Sequence, residues 1–257
     1  MIMTGKNKDS LGARMKKFES AFKHELPMRL PVVIRVDGRS FHTYTKGLKR
    51  EKGKPCDPNL EHVMNLTAKK LCEEIQGAQV AYVQSDEISI LVHNYKKITS
   101  ESWFGNEIQK MVSISASVAS VEFTLNSPKI WGEVKPAAFD SRVFILPEFE
   151  VVNSFIWRQQ DCTRNSVQML ARSLFSHKEC SYKNSAELMD MCQILAGRNW
   201  NDEPTSFKRG RCIVQEKRQV DGGNIRKSWV VDNEIPIFSK DREYIQKFLA
   251  VEVKKKE

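Results

Sequence analysis

No apolar run in this chain approaches the roughly 20 residues that a membrane-spanning helix needs. Residues 1–10 are polar and lack the apolar segment of a secretory leader, so a cytoplasmic protein with no membrane partner is expected. The cysteines also lack pattern. The six of them, Cys56, Cys72, Cys162, Cys180, Cys192 and Cys212, form no Cys-x-x-Cys pair, which removes the usual zinc spacing. Reduced, mostly buried thiols are expected rather than a disulfide scaffold. There is no internal repeat and no low-complexity linker, so 257 residues should form one compact unit with two lobes.

The chain is basic, with a net charge of +9 and a pI near 9.2. Such an excess suits a polyanionic partner, nucleic acid first, although many basic surfaces are simply solvated.

The stretch at 79–93 organises the rest. Two β-rich runs, 80–83 and 88–92, flank Gln84-Ser85-Asp86-Glu87 with no Gly or Pro between them, which predicts a tight hairpin with an acidic tip. Two carboxylates between apolar strands are costly to leave unpaired, and a divalent metal is one way to neutralise them. Upstream, the strand pattern 32–36 ends abruptly in Asp37-Gly38-Arg39. An Asp-Gly after a strand is most often a turn. If the strands are neighbours, however, Asp37 and Asp86 face each other and can bridge two ions for phosphoryl transfer. Gly38 permits close backbone approach, and successive amides in such a turn form an anion-binding nest, with Arg39 and Ser40 as added donors.

In chain order, Leu11, Met15, Phe18 and Phe22 mark one face of an N-terminal helix. Asp57-Pro58 starts a second helix ending near Gly77. A third is expected over about 102–125, with Phe104, Ile108, Met111, Ser115, Val118 and Ala119 on its buried face and Lys110 near its start. Another strand follows at 142–146. The order from 32 to 146 is strand, helix, strand, strand, helix, strand. That predicts an α+β, ferredoxin-like palm (βαββαβ) over 1–148, four antiparallel strands with both helices on one face. Residues 149–257 read as a mainly helical, basic lobe. Its hairpin is expected at 211–217 and 227–231 around Asp221-Gly222-Gly223-Asn224, and a last helix runs from Asp241 to the terminal lysines.

Four motifs are specific enough to name a family: Arg35-Val-Asp-Gly-Arg-Ser-Phe-His42, Tyr82-Val-Gln-Ser-Asp-Glu87, Phe139-Asp-Ser-Arg142 and Trp157-Arg-Gln-Gln-Asp-Cys162. In this order, over about 15–217, the chain resembles the tRNA-histidine guanylyltransferases, which add nucleotides to the 5′ end of tRNA in the 3′-to-5′ direction on a palm domain. The resemblance implies two magnesium ions on Asp37, the Gly38 carbonyl and Asp86, with Glu87 supporting catalysis. It implies ATP and GTP or another NTP as substrates, contacted by Asp37, Gly38, Arg39, Ser40, Phe41, His42, Ser85 and Asp86. Lys54 and Lys110 act as point charges on the triphosphate. Arg142, Arg158, Arg164, Lys208, Arg209 and Arg211 are expected to face the tRNA acceptor stem, and the family precedent is a homotetramer. In the eukaryotic members Trp-Arg-Gln-x-Asp-Cys is followed by His-Ile-Asn; here it is followed by Thr163-Arg164-Asn165. The chain therefore resembles the guanylyltransferase-like proteins that repair 5′-truncated tRNA against a template, with untemplated guanosine addition to histidine tRNA as the alternative. A palm-type nucleotidyl cyclase and a non-catalytic RNA-binding module are the remaining rivals. The basic second lobe argues against the first. The lack of an exposed aromatic pattern on the strands argues against the second.

Overall fold

The structure, a computed structural model, describes residues 10–48, 54–95, 99–219 and 225–250. In chain order the first elements are α1 (Leu11–Ser20), β1 (Val32–Gly38), α2 (Phe41–Tyr44), α3 (Pro58–Glu74), β2 (Ala78–Gln84) and β3 (Glu87–Val92). Then come α4 (Ile108–Asn126), α5 (Pro128–Trp131), β4 (Phe139–Ile145), α6 (Glu148–Leu174), α7 (His177–Cys180) and α8 (Ser185–Ala196). The chain closes with α9 (Thr205–Arg209), β5 (Arg211–Gln219), β6 (Ile225–Asp232) and α10 (Glu243–Gln246).

The predicted palm is present. Strand order is β4-β1-β3-β2, with every pairing antiparallel. Alternation assigns the faces. Val32, Ile34 and Val36 of β1 and Ile88 and Ile90 of β3 pack with Val63, Met64 and Leu71 of α3 and Met111, Ala119 and Phe123 of α4. The intervening residues of β1, Arg35 and Asp37, take the opposite face. Helix α3 starts as its sequence predicts: Asp57 Oδ1 accepts from the Asn59 and Leu60 amides at 2.8 and 3.3 Å, and Pro58 occupies the first turn.

Five features depart from expectation. The sheet has six strands, because β5 pairs with the free edge of β2 and β6 with β5. The expected basic ribbon is thus the edge of the palm sheet, and its turn around Asp221-Gly222-Gly223-Asn224 lies outside the described residues. Second, the far face of the sheet is covered too. Val80, Tyr82 and Leu91 pack under Val151, Val152 and Phe155 of α6, with Ile235, Phe238, Ile245 and Leu249 closing the layer. Third, α4 begins only at Ile108, because Phe104 and Gly105 take positive φ (49° and 62°) in a 3-10 turn, and Phe104 is exposed. Fourth, α1 ends at Ser20, so Phe22 lies beyond it, and Leu11, Met15, Phe18 and Phe22 are all exposed. Fifth, the last helix is only the short α10, and the terminal lysines lie outside the described residues.

The junction of β5 with β2 rests on Gly210. It has φ 79° and ψ −168°, a region essentially restricted to glycine. An added Cβ would lie 2.7 Å from the ring and hydroxyl of Tyr82. That buried hydroxyl donates to the Arg209 carbonyl at 2.8 Å, locking the start of β5 onto β2. Gly210→Ala is expected to destabilise the chain by about 3 kcal/mol through backbone strain and overpacking. The check is a fall in the urea unfolding midpoint; an unchanged midpoint contradicts the account.

Candidate active site

The register of β1 determines the site. Asp37 stands opposite Glu87 on one side and Asp140 on the other. Ser85 and Asp86 form the two-residue tip between paired Gln84 and Glu87, with Ser85 at φ 45°. The tip is joined to the end of β1 by the Gly38 amide, which donates to the Asp86 carbonyl at 3.1 Å. The Arg39 amide donates to Ala138 at 2.9 Å, tying the same turn to the approach to β4. At Gly38 a Cβ would fall 2.3 Å from the Phe41 ring, so only glycine lets the turn fold onto its own anchor. That anchor is aromatic: Phe41 is buried, with ring centroids of Tyr44, Phe139 and Phe123 at 5.0, 5.1 and 5.2 Å. Phe41 therefore offers only its backbone to the turn. The amides of Ser40, Phe41 and His42 make no backbone hydrogen bond among those described, and the side chains of Arg39, Ser40 and His42 are exposed around them.

The acidic residues divide into two kinds. Glu87 is buried and neutralised. Arg158 of α6 grips it with a fork, Nη2 to Oε2 at 2.5 Å and Nε to Oε1 at 2.8 Å. Arg35 approaches Oε1 at 3.4 Å, and the Ser89 hydroxyl donates to it at 3.2 Å. Both guanidinium groups also lie over the Trp157 ring, 5.1 and 4.7 Å from its centroid. Asp37 and Asp86 have no such cation. Burial, then the neighbouring charges of Asp86, Glu87 and Asp140, push the Asp37 carboxyl up to about 6. Burial also raises Asp86, with a hydrogen bond from Ser85 and the nearby His42 pulling the other way. Uncompensated negative charge at the end of a sheet suits a divalent cation.

Asp37 and Asp86 offer oxygen donors, which suit a hard divalent cation. Among the described residues no three or more His, Cys, Asp or Glu side chains are grouped to hold a metal ion. Two carboxylates and a carbonyl leave most positions to water and substrate phosphates, as magnesium prefers.

The other expected residues scatter. Lys54 is exposed just before the cap of α3, whose residues Glu61 and Asn65 contact Arg211 opposite Val83; it enters from the Asp86 end of the sheet. Lys110 is not brought there. Ser115 bonds Ser141 and Ser120 accepts from the Phe139 amide, so α4 runs toward Asp37 from its far end. Lys110 lies about 15 Å of helix rise before Ser120 and pairs with Glu107. Arg142 is exposed, 3.2 Å from Asp140, and lowers the Asp37 value. Arg158 is half-buried on Glu87, and Arg211 is buried. Arg211 donates to Asn65 Oδ1 at 2.5 Å and to the Glu61 carbonyl at 3.3 Å, so neither faces a ligand as expected. Arg164 is exposed and pairs with Asp161, Lys208 donates to the Asn201 carbonyl, and Arg209 is half-buried beside it. Two contributors were missed, Arg35 and Asp140. The signal for Arg35 was a charge two residues before Asp37 in an otherwise apolar strand; Asp140 lay inside a quoted motif.

A palm sheet ending in two aspartates without a paired cation, beside a turn whose Ser40, Phe41 and His42 amides make no described backbone bond, is the arrangement of a nucleotidyltransferase. The chain belongs to the tRNAHis guanylyltransferase (Thg1) family, whose model matches residues 12–147. The guanylyltransferase of Debaryomyces hansenii is 31% identical, with 72% of this chain and 73% of that one covered. That of Schizosaccharomyces pombe is 29% identical, covering 78% and 80%. A bacterial Thg1-like protein in complex with ATP is 44% identical with a TM-score of 0.85, covering 94% of this chain and all (100%) of that one. The Saccharomyces cerevisiae guanylyltransferase, at 22% identity, TM-score 0.68 and coverage of 90% and 100%, shares the fold.

Two outcomes follow. Asp37 titrates near 6 folded and about 3.9 unfolded. The folded state thus binds the proton more tightly, and this contribution to stability is present below about pH 4 and lost as pH rises through about 6. Metal-free Asp37→Asn should match the wild type in melting temperature near pH 4 and exceed it increasingly toward pH 7; a constant offset across that range contradicts the assignment. Arg158→Ala should cost about 3–5 kcal/mol in denaturant unfolding by stranding the buried Glu87 carboxylate, with part recovered in the Arg158→Met, Glu87→Gln double variant.

Proposed function

We propose that this protein extends the 5′ end of tRNA in the 3′-to-5′ direction, as templated repair of 5′-truncated tRNA. The observation that carries this is the Asp37–Asp86 pair, left without a cation at the end of the sheet while Glu87 beside it is fully partnered. Asp37, Asp86 and the Gly38 carbonyl would hold two magnesium ions, which when bound lower the pKa of an attacking hydroxyl and neutralise the leaving phosphates.

The chain's own residues do the rest. The free amides of Ser40, Phe41 and His42 and the Arg39 side chain receive triphosphate oxygens. Lys54 adds a point charge from the tip side. A 5′-monophosphate end is first activated with ATP or GTP, releasing pyrophosphate; an end already bearing triphosphate skips this step. The 3′-hydroxyl of the incoming nucleotide then attacks the 5′ α-phosphate, expelling AMP or GMP from an activated end and pyrophosphate from a triphosphate end. Base pairing with the opposite strand selects the nucleotide, so the protein need only hold shape and phosphates.

Repair rather than untemplated addition is supported by Thr163-Arg164-Asn165 where eukaryotic members carry His-Ile-Asn. Arg164 and Asn165 here turn to Asp161. The 44% and 43% identities to bacterial Thg1-like proteins solved with ATP and with GTP, against 22% to the yeast guanylyltransferase, point the same way. A cytoplasmic homotetramer is the expected working form, and the uncovered stripe of α1 supplies apolar surface for association.

The test is 5′-end extension of three tRNAs with magnesium and labelled nucleotides: histidine tRNA lacking its first nucleotide, full-length histidine tRNA, and a truncated tRNA of another specificity. Extension of the truncated substrates alone, following the opposite base, is expected. Guanosine added only to full-length histidine tRNA would overturn the repair reading. Asp86→Asn should lose about a thousandfold or more in rate with folding intact.

A further inference from the structure

Away from the aspartates, a cleft of about 320 Å³ opens between α6, the Trp200–Asn201 turn, the end of α9 and the segment after β6. Its surfaces are held rigidly. The floor is Gln159, 4% exposed, whose Nε2 donates to the Pro236 carbonyl at 2.9 Å and whose Oε1 accepts from the Phe238 amide at 2.8 Å. One wall is the Trp200 ring, fixed by its Nε1 donating to the buried Ser166 hydroxyl at 3.0 Å. Ile156 and Ile237 complete the apolar walls. Lys208 and Arg209 line the same cleft, and no carboxylate is among its described lining residues. Lys208 is held in place by the Asn201 carbonyl, with its Nζ 5.8 Å from the Trp200 centroid.

A flat apolar wall, amide and hydroxyl groups at the rim from Gln160 and Thr163, and two cations with no opposing acid select a ligand that is planar, hydrogen-bonding and anionic. A nucleotide has that chemistry, and the volume lies at the small end of the roughly 300–1,000 Å³ typical of ligand sites. Position narrows the source. Thr163 follows Arg158 along α6 by about 7.5 Å of helix rise, and Arg158 grips Glu87 beside the aspartates. A tRNA whose 5′ end reaches the aspartates carries its single-stranded 3′ tail just beyond the last base pair.

We propose that this cleft holds an unpaired nucleotide of the tRNA 3′ strand, its base on Trp200 and its phosphate on Lys208 and Arg209. The inference deepens the tRNA reading above and rests on it. By holding the template strand, the cleft would keep the opposite base in line with the aspartates.

The experiment is equilibrium binding by fluorescence anisotropy of the full chain to 5′-truncated tRNA, with no nucleotide present. One probe keeps its 3′ overhang; the other is trimmed to the last base pair. Wild type should bind the trimmed probe about tenfold more weakly, the scale of one stacked base. Trp200→Ala and Arg209→Gln should lose that preference while matching wild type on the trimmed probe. Trp200→Phe should retain most of it, and with Arg209→Gln it keeps the test valid if Trp200→Ala proves misfolded by circular dichroism. Equal binding of both probes by wild type, or an intact preference in Arg209→Gln and Trp200→Ala, overturns the proposal. So does competition by free cytidine monophosphate that Trp200→Ala abolishes while the overhang has no effect, since the cleft would then serve free nucleotides. Failure of the tRNA reading looks different: neither probe binds above background.

Discussion

Crowded negative charge is the constraint on which the site depends. Antiparallel pairing of β1 with β3 and β4 places Asp37 between Glu87 and Asp140, with Asp86 at the adjoining tip. Carboxylates in such proximity cannot all remain ionised without compensation. The chain resolves this unequally. Glu87, the deepest, receives two guanidinium groups and a hydroxyl. Asp37 and Asp86 receive no such guanidinium, Asp86 having the Ser85 hydrogen bond instead, and the residual charge lies at two strand ends and a turn. Neutralising the wrong member would have left a merely stable sheet. Fixing Glu87 instead makes the β2–β3 tip rigid and leaves its neighbours available.

The same arrangement explains why α6 lies where it does. Its Arg158 reaches Glu87 from the face opposite α3 and α4, while Val151, Val152 and Phe155 seal the layer beneath. Trp157 lies against both arginines and shields the ion pair at the helix edge. What reads in sequence as a basic helix of a second lobe is, at this position, the layer that covers the second face of the palm sheet. The Arg211 guanidinium does similar work on the other face, joining β5 to α3.

The palm and its acidic tip were legible because they are local. Alternation in β1–β4 states which residues share a face, and a charge that breaks an apolar strand announces itself, as at Asp37. Partnership across distance was not legible. Glu87 and Arg158 are 71 residues apart, and nothing in the periodicity of α6 says which arginine turns inward. The same limit hid the pairing of β5 with β2. The direction of α4 takes Lys110 away from the aspartates, although the family resemblance implied a place on the triphosphate. Conversely, the stripe of Leu11, Met15 and Phe18 was read correctly as one face of α1, but amphipathicity identifies a surface to be covered and not what covers it.

The closure of β2 by β5 has a consequence for how the molecule is made. The Tyr82 hydroxyl that seats this edge waits for a carbonyl 127 residues further along the chain. At synthesis rates of 5–20 residues per second that interval is roughly 6–25 s. During it β2 is an open sheet edge carrying buried-type residues, the kind of surface on which nascent chains pair wrongly. The strand leading to the tip can therefore gain its last neighbour only after most of the chain has left the ribosome.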